Sequence, residues 1–338
     1  MLPHENNPNK KTKLSHSDGE ELVHLWNHCF NCGSAPILGL RYECTSCPAG
    51  PDNDLCEKCY EKFQKGEIQH PREDTPAAAM DIKTHHFNPV QGKPARLYEK
   101  WLQIPLPAVP APQVPDHFVV RPIFCSGPDA AIGGYAFLVA AAGHHSPLLL
   151  TALHVMDEMI KKKGFDCTDN NKNYTGREMP GAISEVQFYD VFAANWMMAP
   201  LGTAAPMLVL PNARRGDEEP CSHRDIAAFF VKNPGALNPA PLAQKTPGVG
   251  EPVWLAAKLP GEATIRTQAA VVVEKTGRTF VFRFEAMESE RPKYTSGAPV
   301  LDKKGEVVGI NVGGGFFRGQ RLGHANHVEN IRSHLSSC

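Results

Sequence analysis

The chain has no surplus of charge of either sign: 35 basic residues stand against 36 acidic ones, for a formal net charge of −1. A partner held through phosphates needs a basic excess, so neither nucleic acid nor an anionic membrane surface is expected. Long apolar runs are missing too. The most apolar stretch, GGYAFLVAAAGHHSPLLLTALHV, is broken by Gly, His, Ser and Pro, and nothing reaches the roughly 20 unbroken apolar residues of a membrane helix. The opening MLPHENNPNKKTKLSHSDGEELVHLW lacks the apolar centre of a secretory signal. The expectation is an intracellular protein, cytoplasmic or nuclear. Internal repeats are absent. What is plentiful is punctuation, with 30 prolines and 28 glycines among 338 residues, which suits a mainly β protein rich in turns.

Four regions follow from texture. Residues 1–22 are a polar tail, and 23–90 form a Cys/His-rich unit. Residues 91–115 are rich in proline and read as a semi-rigid extended linker, in which LYEKWLQI is apolar enough to dock on a neighbour. From 116 to 338 short apolar runs such as HFVVRPIF, YAFLVAAA, IAAFFV and TFVFRFEA read as strands, with helices only at VMDEMIKKK and at the final NHVENIRSHLSS.

Six of the ten cysteines form three C-x-x-C pairs: Cys29/Cys32, Cys44/Cys47 and Cys56/Cys59. A two-residue gap lets both thiolates turn onto one ion, and with His70, His85 and His86 downstream there are enough ligands for two closed, structural zinc sites. The segment HCFNCGSAPILGLRYECTSCPAGPDNDLCEKCY resembles the ZZ-type zinc fingers, through Pro36-Ile37, Gly39, Arg41-Tyr42 and Asp54-Leu55-Cys56. That resemblance implies a small cross-braced finger with two zinc ions. Cys29, Cys32, Cys56 and Cys59 would hold one; Cys44, Cys47 and two histidines would hold the other. His86, which precedes Phe87 as in the family, is favoured with His70, and His85 is the alternate ligand. Some ZZ fingers bind the free N-terminus of a peptide in an acidic pocket. Asp52 and Asp54 match two of its acidic positions, whereas the third is Phe30.

Three further motifs lie in chain order: His154 in LLLTALHVMDEM, Asp225 in CSHRDIAAFFV and Ser296 in YTSGAPVLDKKGEVVGINVGG. The order His, Asp, Ser matters, because the same triad chemistry occurs in other orders on other folds. Asp190 in QFYDVFAAN is the second choice for the acid. With GGYAFLV ahead of the histidine and HANHVENIRSHL at the end, residues 116–338 resemble the trypsin-like, chymotrypsin-fold serine proteases. The resemblance implies a double six-stranded β-barrel with a C-terminal helix, acting by acyl transfer on a peptide or protein substrate. His154 would be the base, Asp225 its orienter, Ser296 the nucleophile, and the amides of Tyr294 and Ser296 the oxyanion donors. Two positions depart from the family: Tyr294-Thr295 stand where Gly-Asp is usual. Thr295 removes the ion pair to a newly cut N-terminus, which suits a domain that begins inside a chain. Tyr294 keeps open an alternative, a catalytically inactive protease-fold scaffold.

Overall fold

The computed structural model describes residues 20–46, 54–68, 85–115, 117–140, 143–162, 182–190, 199–210, 213–214, 222–235, 237–257, 265–285 and 295–336. The N-terminal unit is built from Leu22–His24 (β1), Ile37–Leu38 (β2), Leu40–Cys44 (β3), Asp54–Cys56 (β4), the helix Glu57–Gln64 (α1), Phe87–Gln91 (β5) and Lys93–Pro94 (β6). They form two three-stranded sheets, in the orders β2-β1-β6 and β4-β3-β5. Their core is small: Cys29, Ile37, Leu55, Cys59 and Phe63 are its buried members. So little apolar burial does not hold a unit together alone, and crosslinks through its cysteines are the natural supplement.

The stretch read as an extended linker carries a helix, Ala95–Leu102 (α2), because Pro94 stands at its N-cap, where a missing N–H costs nothing, and the other five prolines lie beyond its end. Ala95 and Tyr98 turn inward with Trp101 and Leu102 beside them, an i, i+3 stripe. This stripe packs with Val23 and Leu25 of the finger region against Val271, Val273, Val281, Phe317 and Leu322 of the C-terminal domain. Arg283 caps the helix end, its Nε donating to Trp101 O at 3.2 Å and its Nη2 to Ile104 O. The finger region is therefore packed onto the protease-like domain, not strung from it.

That domain holds two curled sheets. The first uses Val120–Ser126 (β7), Asp129–Ile132 (β8), Phe137–Val139 (β9), Leu148–Thr151 (β10), Glu185–Asp190 (β11), Gly202–Leu208 (β12) and Ala227–Asn233 (β13), after the short helix Asp157–Lys162 (α3) has followed β10. Its order is β8-β7-β11-β12-β13-β10-β9, with an isolated bridge from Val120 to Ala136 drawing the ends together. It is a seven-stranded half-barrel, because β8 adds a hairpin strand on β7 and the return to β9 narrows to that one bridge. The second is a closed six-stranded barrel of Pro252–Ala257 (β14), Arg266–Lys275 (β15), Thr279–Phe284 (β16), Pro299–Leu301 (β17), Val307–Phe317 (β18) and Gln320–His327 (β19). Alternation decides its faces: Phe280, Phe282 and Phe284 fill the main core, while Val281 between them packs toward α2. The C-terminal helix Val328–Leu335 (α4) starts at His327, whose Nδ1 accepts the Asn330 N–H. A connector ties the barrels: Ala240 N donates to Leu138 O at 2.6 Å and Val307 N to Pro241 O at 2.8 Å.

Candidate active site and candidate metal centre

Strand register brings His154 and Asp225 together. β10 and β13 are antiparallel neighbours, with Thr151 opposite Ala227. His154 lies just past Thr151, in the 3-10 turn Leu153–Met156, and Asp225 lies just before Ala227, after the turn Ser222–Arg224. Both therefore emerge at the same end of the same pair. Asp225, 2% exposed, grips His154 twice. Its Oδ1 accepts the His154 backbone N–H at 2.9 Å and its Oδ2 lies 2.6 Å from Nδ1. With a carboxylate on Nδ1, the proton of a neutral imidazole sits there and the Nε2 lone pair faces outward. Asn326, fully buried on β19, donates its Nδ2 to Asp225 O at 3.1 Å, so the second barrel steadies the acid as well. Asp190, the second-choice acid, lies instead 2.9 Å from His117 Nδ1.

Ser296 occupies a tight turn in which Ala298 N donates to Thr295 O at 3.1 Å. Gly297 has φ +84°, the left-handed geometry a glycine adopts without strain. A Cβ there would also lie 2.0 Å from Tyr135 O and 2.5 Å from Thr151 Oγ1. The turn is bound on both sides. Ser296 O accepts the Tyr135 N–H and Asn311 O accepts the Gly297 N–H, each at 2.8 Å. Tyr135 O in turn accepts the Thr151 hydroxyl at 2.7 Å. Ser296 is thus one hydrogen-bonded residue away from the strand end that carries His154. Thr295 is buried and neutral-bonded, with Asn311 Nδ2 donating to its O at 3.0 Å and its Oγ1 at 3.1 Å. Tyr294, the other expected oxyanion donor, lies outside the described residues. Tyr135, Thr151 and Asn311 escaped sequence reading, because they act through backbone groups and short polar tips; the motifs GGYAFLV, LLLTALHV and GINVGG marked only their neighbourhoods.

In the finger, one cysteine quartet is assembled. The sulfurs of Cys29, Cys32, Cys56 and Cys59 all lie within 4.8 Å of one another. Cys32 Sγ and Cys56 Sγ are 3.9 Å apart, against the about 3.8 Å edge of a tetrahedron with zinc–sulfur bonds of about 2.3 Å. The donor set therefore fits a structural zinc. Burial, with the neighbouring thiols, pushes Cys56 up to about 12, so a bound cation is what would draw off its proton. For the second group, Cys44 Sγ is 3.4 Å from Nδ1 of His85, which is buried between Phe63 and Phe87. His86 has an exposed side chain and uses its backbone, O to Thr45 and N to Ser46. His85, the alternate, is thus the histidine beside Cys44, and the favoured His86 is turned away. Cys47 and His70 lie outside the described residues, as does Asp52. Asp54 is only 4% exposed and committed to its neighbours: Arg41 Nη1 reaches both its oxygens at 2.9 Å and Asn27 Nδ2 donates at 3.0 Å. It is a buried ion-pair member and not an open site for a peptide ammonium.

Comparison with known proteins adds the following. The family described as trypsin-like peptidase domain matches residues 134–310, and the ZZ-type zinc finger family matches residues 24–70. The E3 ubiquitin-protein ligase PRT1 of Arabidopsis thaliana is 35% identical over 60 residues, which is 18% of this chain and 15% of that protein. The chain thus spans a small part of the length of that curated relative. Among solved structures, the Rv3671c protease from M. tuberculosis in its active form is similar at 15% identity and TM-score 0.41, over 69% of this chain and 89% of that one. The serine endoprotease from Yersinia pestis is similar at 15% identity and TM-score 0.39, over 71% of this chain and 65% of that one.

Proposed function

The chain belongs to the trypsin-like peptidase family, and on that premise we propose that it is an intracellular serine endopeptidase whose ZZ finger recruits a peptide or protein partner. The observation that carries this reading is the double grip of Asp225 on His154, at the strand end to which the Ser296 turn is bonded. Ser296 Oγ attacks the scissile carbonyl while His154 Nε2 takes its proton. Asp225 holds the imidazole by backbone and ring and stabilises the imidazolium. His154 then returns the proton to the leaving amine, and water repeats the cycle on the acyl-enzyme. Amides at the Ser296 turn receive the oxyanion, each donor being worth about 3–4 kcal/mol.

The finger covers residues 23–90 and the peptidase domain residues 116–338. Zinc in the finger is structural: Cys29, Cys32, Cys56 and Cys59 hold one ion, and Cys44 with His85 contributes to a second. Closed thiolate sites leave no position for a reacting water. Among the described residues no cysteine forms a disulfide, which suits a reducing compartment.

Labelling with a fluorophosphonate tests the reading, since only an activated serine reacts. Wild type should label at Ser296, and Ser296→Ala and His154→Ala should not. An unlabelled wild type that also cleaves no member of a peptide library would leave the inactive-scaffold reading standing.

A further inference from the structure

We propose that Trp26, carried by the N-terminal unit, forms one wall of the peptide groove of the peptidase domain and selects an apolar side chain about three residues before the scissile bond. The inference rests on the reading of Ser296 as the nucleophile.

One edge of β18 changes partner along its length. Up to Ile310 it pairs with β17. Asn311 then closes the pairing, its N–H donating to Ala298 O at 2.9 Å and its O accepting from Gly297 N at 2.8 Å. Past Asn311 the opposite edge continues on β19 as far as Phe317 paired with Gln320. On the near edge no strand among the described residues pairs with Val312 to Gly315. An open strand edge is a template for an extended peptide. This edge begins at the residue bonded to the Ser296 turn, so a peptide laid along it delivers a carbonyl to that turn. Laid antiparallel, the more stable pairing, the peptide runs toward Ser296 from N to C. Residues opposite Gly313 to Gly315 therefore precede the bond that is cut. At about 3.3 Å per residue they stand about 7–13 Å back along the chain.

The side chains of such a peptide meet a face that is already half built. Gly313, Gly315 and Phe317 share one face of β18, opposite His324, Leu322 and Gln320 on β19. The N-terminal unit docks on this face. A Cβ on Gly315 would lie 2.6 Å from Leu25 O and 3.2 Å from Trp26 Cε3. The Trp26 indole stacks on the His324 ring, with centroids 5.5 Å apart and planes 19° apart, and is only half-buried. At Gly313 the surface is bare: an added Cβ meets nothing described within 4 Å. A flat aromatic wall thus stands beside an unoccupied position on a strand edge. Cross-strand neighbours on one face come within about 5 Å of each other, so a substrate side chain facing this way lies against the indole. An apolar or aromatic group gains from that contact, because it displaces water from both surfaces.

The test is a peptide library randomised over the four residues before a fixed leaving group, read by mass spectrometry with wild type, Trp26→Ala and Gly313→Val. Fluorophosphonate labelling of wild type comes first. Wild type should enrich Leu, Phe and Met about tenfold over Ser and Glu at the third position. Trp26→Ala should bring that ratio within about twofold. Gly313→Val should do the same by filling the space, without removing any packed side chain. The selectivity at the first position is the internal control and should be common to all three proteins. A third-position profile that is flat in wild type, or that survives both substitutions, overturns the proposal while leaving the peptidase reading intact. A wild type that neither labels nor cleaves overturns both.

Discussion

Replacing Asp225 by asparagine preserves shape and changes one thing, the number of acceptors. Asp225 now offers one oxygen to the His154 backbone N–H at 2.9 Å and the other to the imidazole at 2.6 Å. Asparagine has one oxygen and one NH2. The backbone N–H can only donate, so the amide oxygen must stay with it. The NH2 then faces Nδ1, which has to become the acceptor, and the ring proton moves to Nε2. In the proposed mechanism that is the atom that takes the proton from Ser296. The wrong tautomer should lower kcat/KM by about 10⁴-fold, equivalent to about 5.5 kcal/mol of transition-state stabilisation, for esters and peptides alike. Folding should suffer far less. Both contacts persist as neutral hydrogen bonds, so the loss is about 1–2 kcal/mol, a shift of a few degrees in melting temperature for a chain of this size. Steady-state kinetics, thermal denaturation and imidazole ¹⁵N resonances read the three effects separately. Activity within tenfold of wild type, or an imidazole still protonated at Nδ1, would refute the argument. A collapse of the fold would place Asp225 among the structural residues instead.

Elemental analysis of reduced protein should find two zinc ions per chain, and chelation should unfold the small cysteine-bound core; less than one zinc per chain would remove the finger assignment. Stability should fall as acid is added, because burial, and next the charge of Arg41, lower the His24 pKa from 6.5 to about 4. The unfolded chain then binds a proton that the native chain refuses. The contribution is intact above about pH 6.5 and erodes toward pH 4 by about 3 kcal/mol, with His327 and His334, also lowered by burial, adding in the same direction. Denaturant titrations across that range should show a slope that His24→Gln flattens, and an unchanged slope would remove His24 as its source. Arg283→Ala should free the end of α2 and speed limited proteolysis within residues 95–115, since the guanidinium holds Trp101 O and Ile104 O. A digestion rate equal to wild type would show that apolar packing alone holds the helix.

The legible parts of the sequence were those with strong local patterns. Each proposed triad residue borders an apolar run, and strand register then carries His154 and Asp225 to the same strand end. The C-x-x-C spacing pointed to three pairs, and the family resemblance joined Cys29, Cys32, Cys56 and Cys59, which the fold gathers within 4.8 Å. Illegible were choices between adjacent residues and contacts across long loops. Successive residues of an extended chain face opposite ways, so of His85 and His86 one turns in, and the sequence does not say which. Asp54 was expected in an acidic pocket for a peptide N-terminus; its partner Arg41 lies on β3, opposite Cys56 of β4, and only the pairing of those strands shows the ion pair. Residues 91–115 looked like a linker because its prolines dominate the composition, yet eight residues between Pro94 and Pro105 carry an inward stripe that needed a partner surface to be understood.

That partner surface changes how the two regions relate. Val23, Leu25, Tyr98 and Trp101 share one apolar cluster with β15, β16, β18 and β19, so separating the finger region from the barrel would expose several large side chains at about 1.5–3 kcal/mol each. The site itself depends on equally close approach, but of backbone to backbone. A Cβ at Gly134 would lie 2.1 Å from Ser296 O, and one at Gly133 would lie 2.4 Å from Val155 O. No side-chain movement relieves a collision with a carbonyl oxygen. A larger residue at Gly134 must displace the Ser296 turn of the second barrel, and one at Gly133 the turn that carries His154 and Val155 in the first, with the proposed triad side chains all unchanged. The proposed chemistry therefore depends on positions that carry no side chain as well as on those that carry a reactive one.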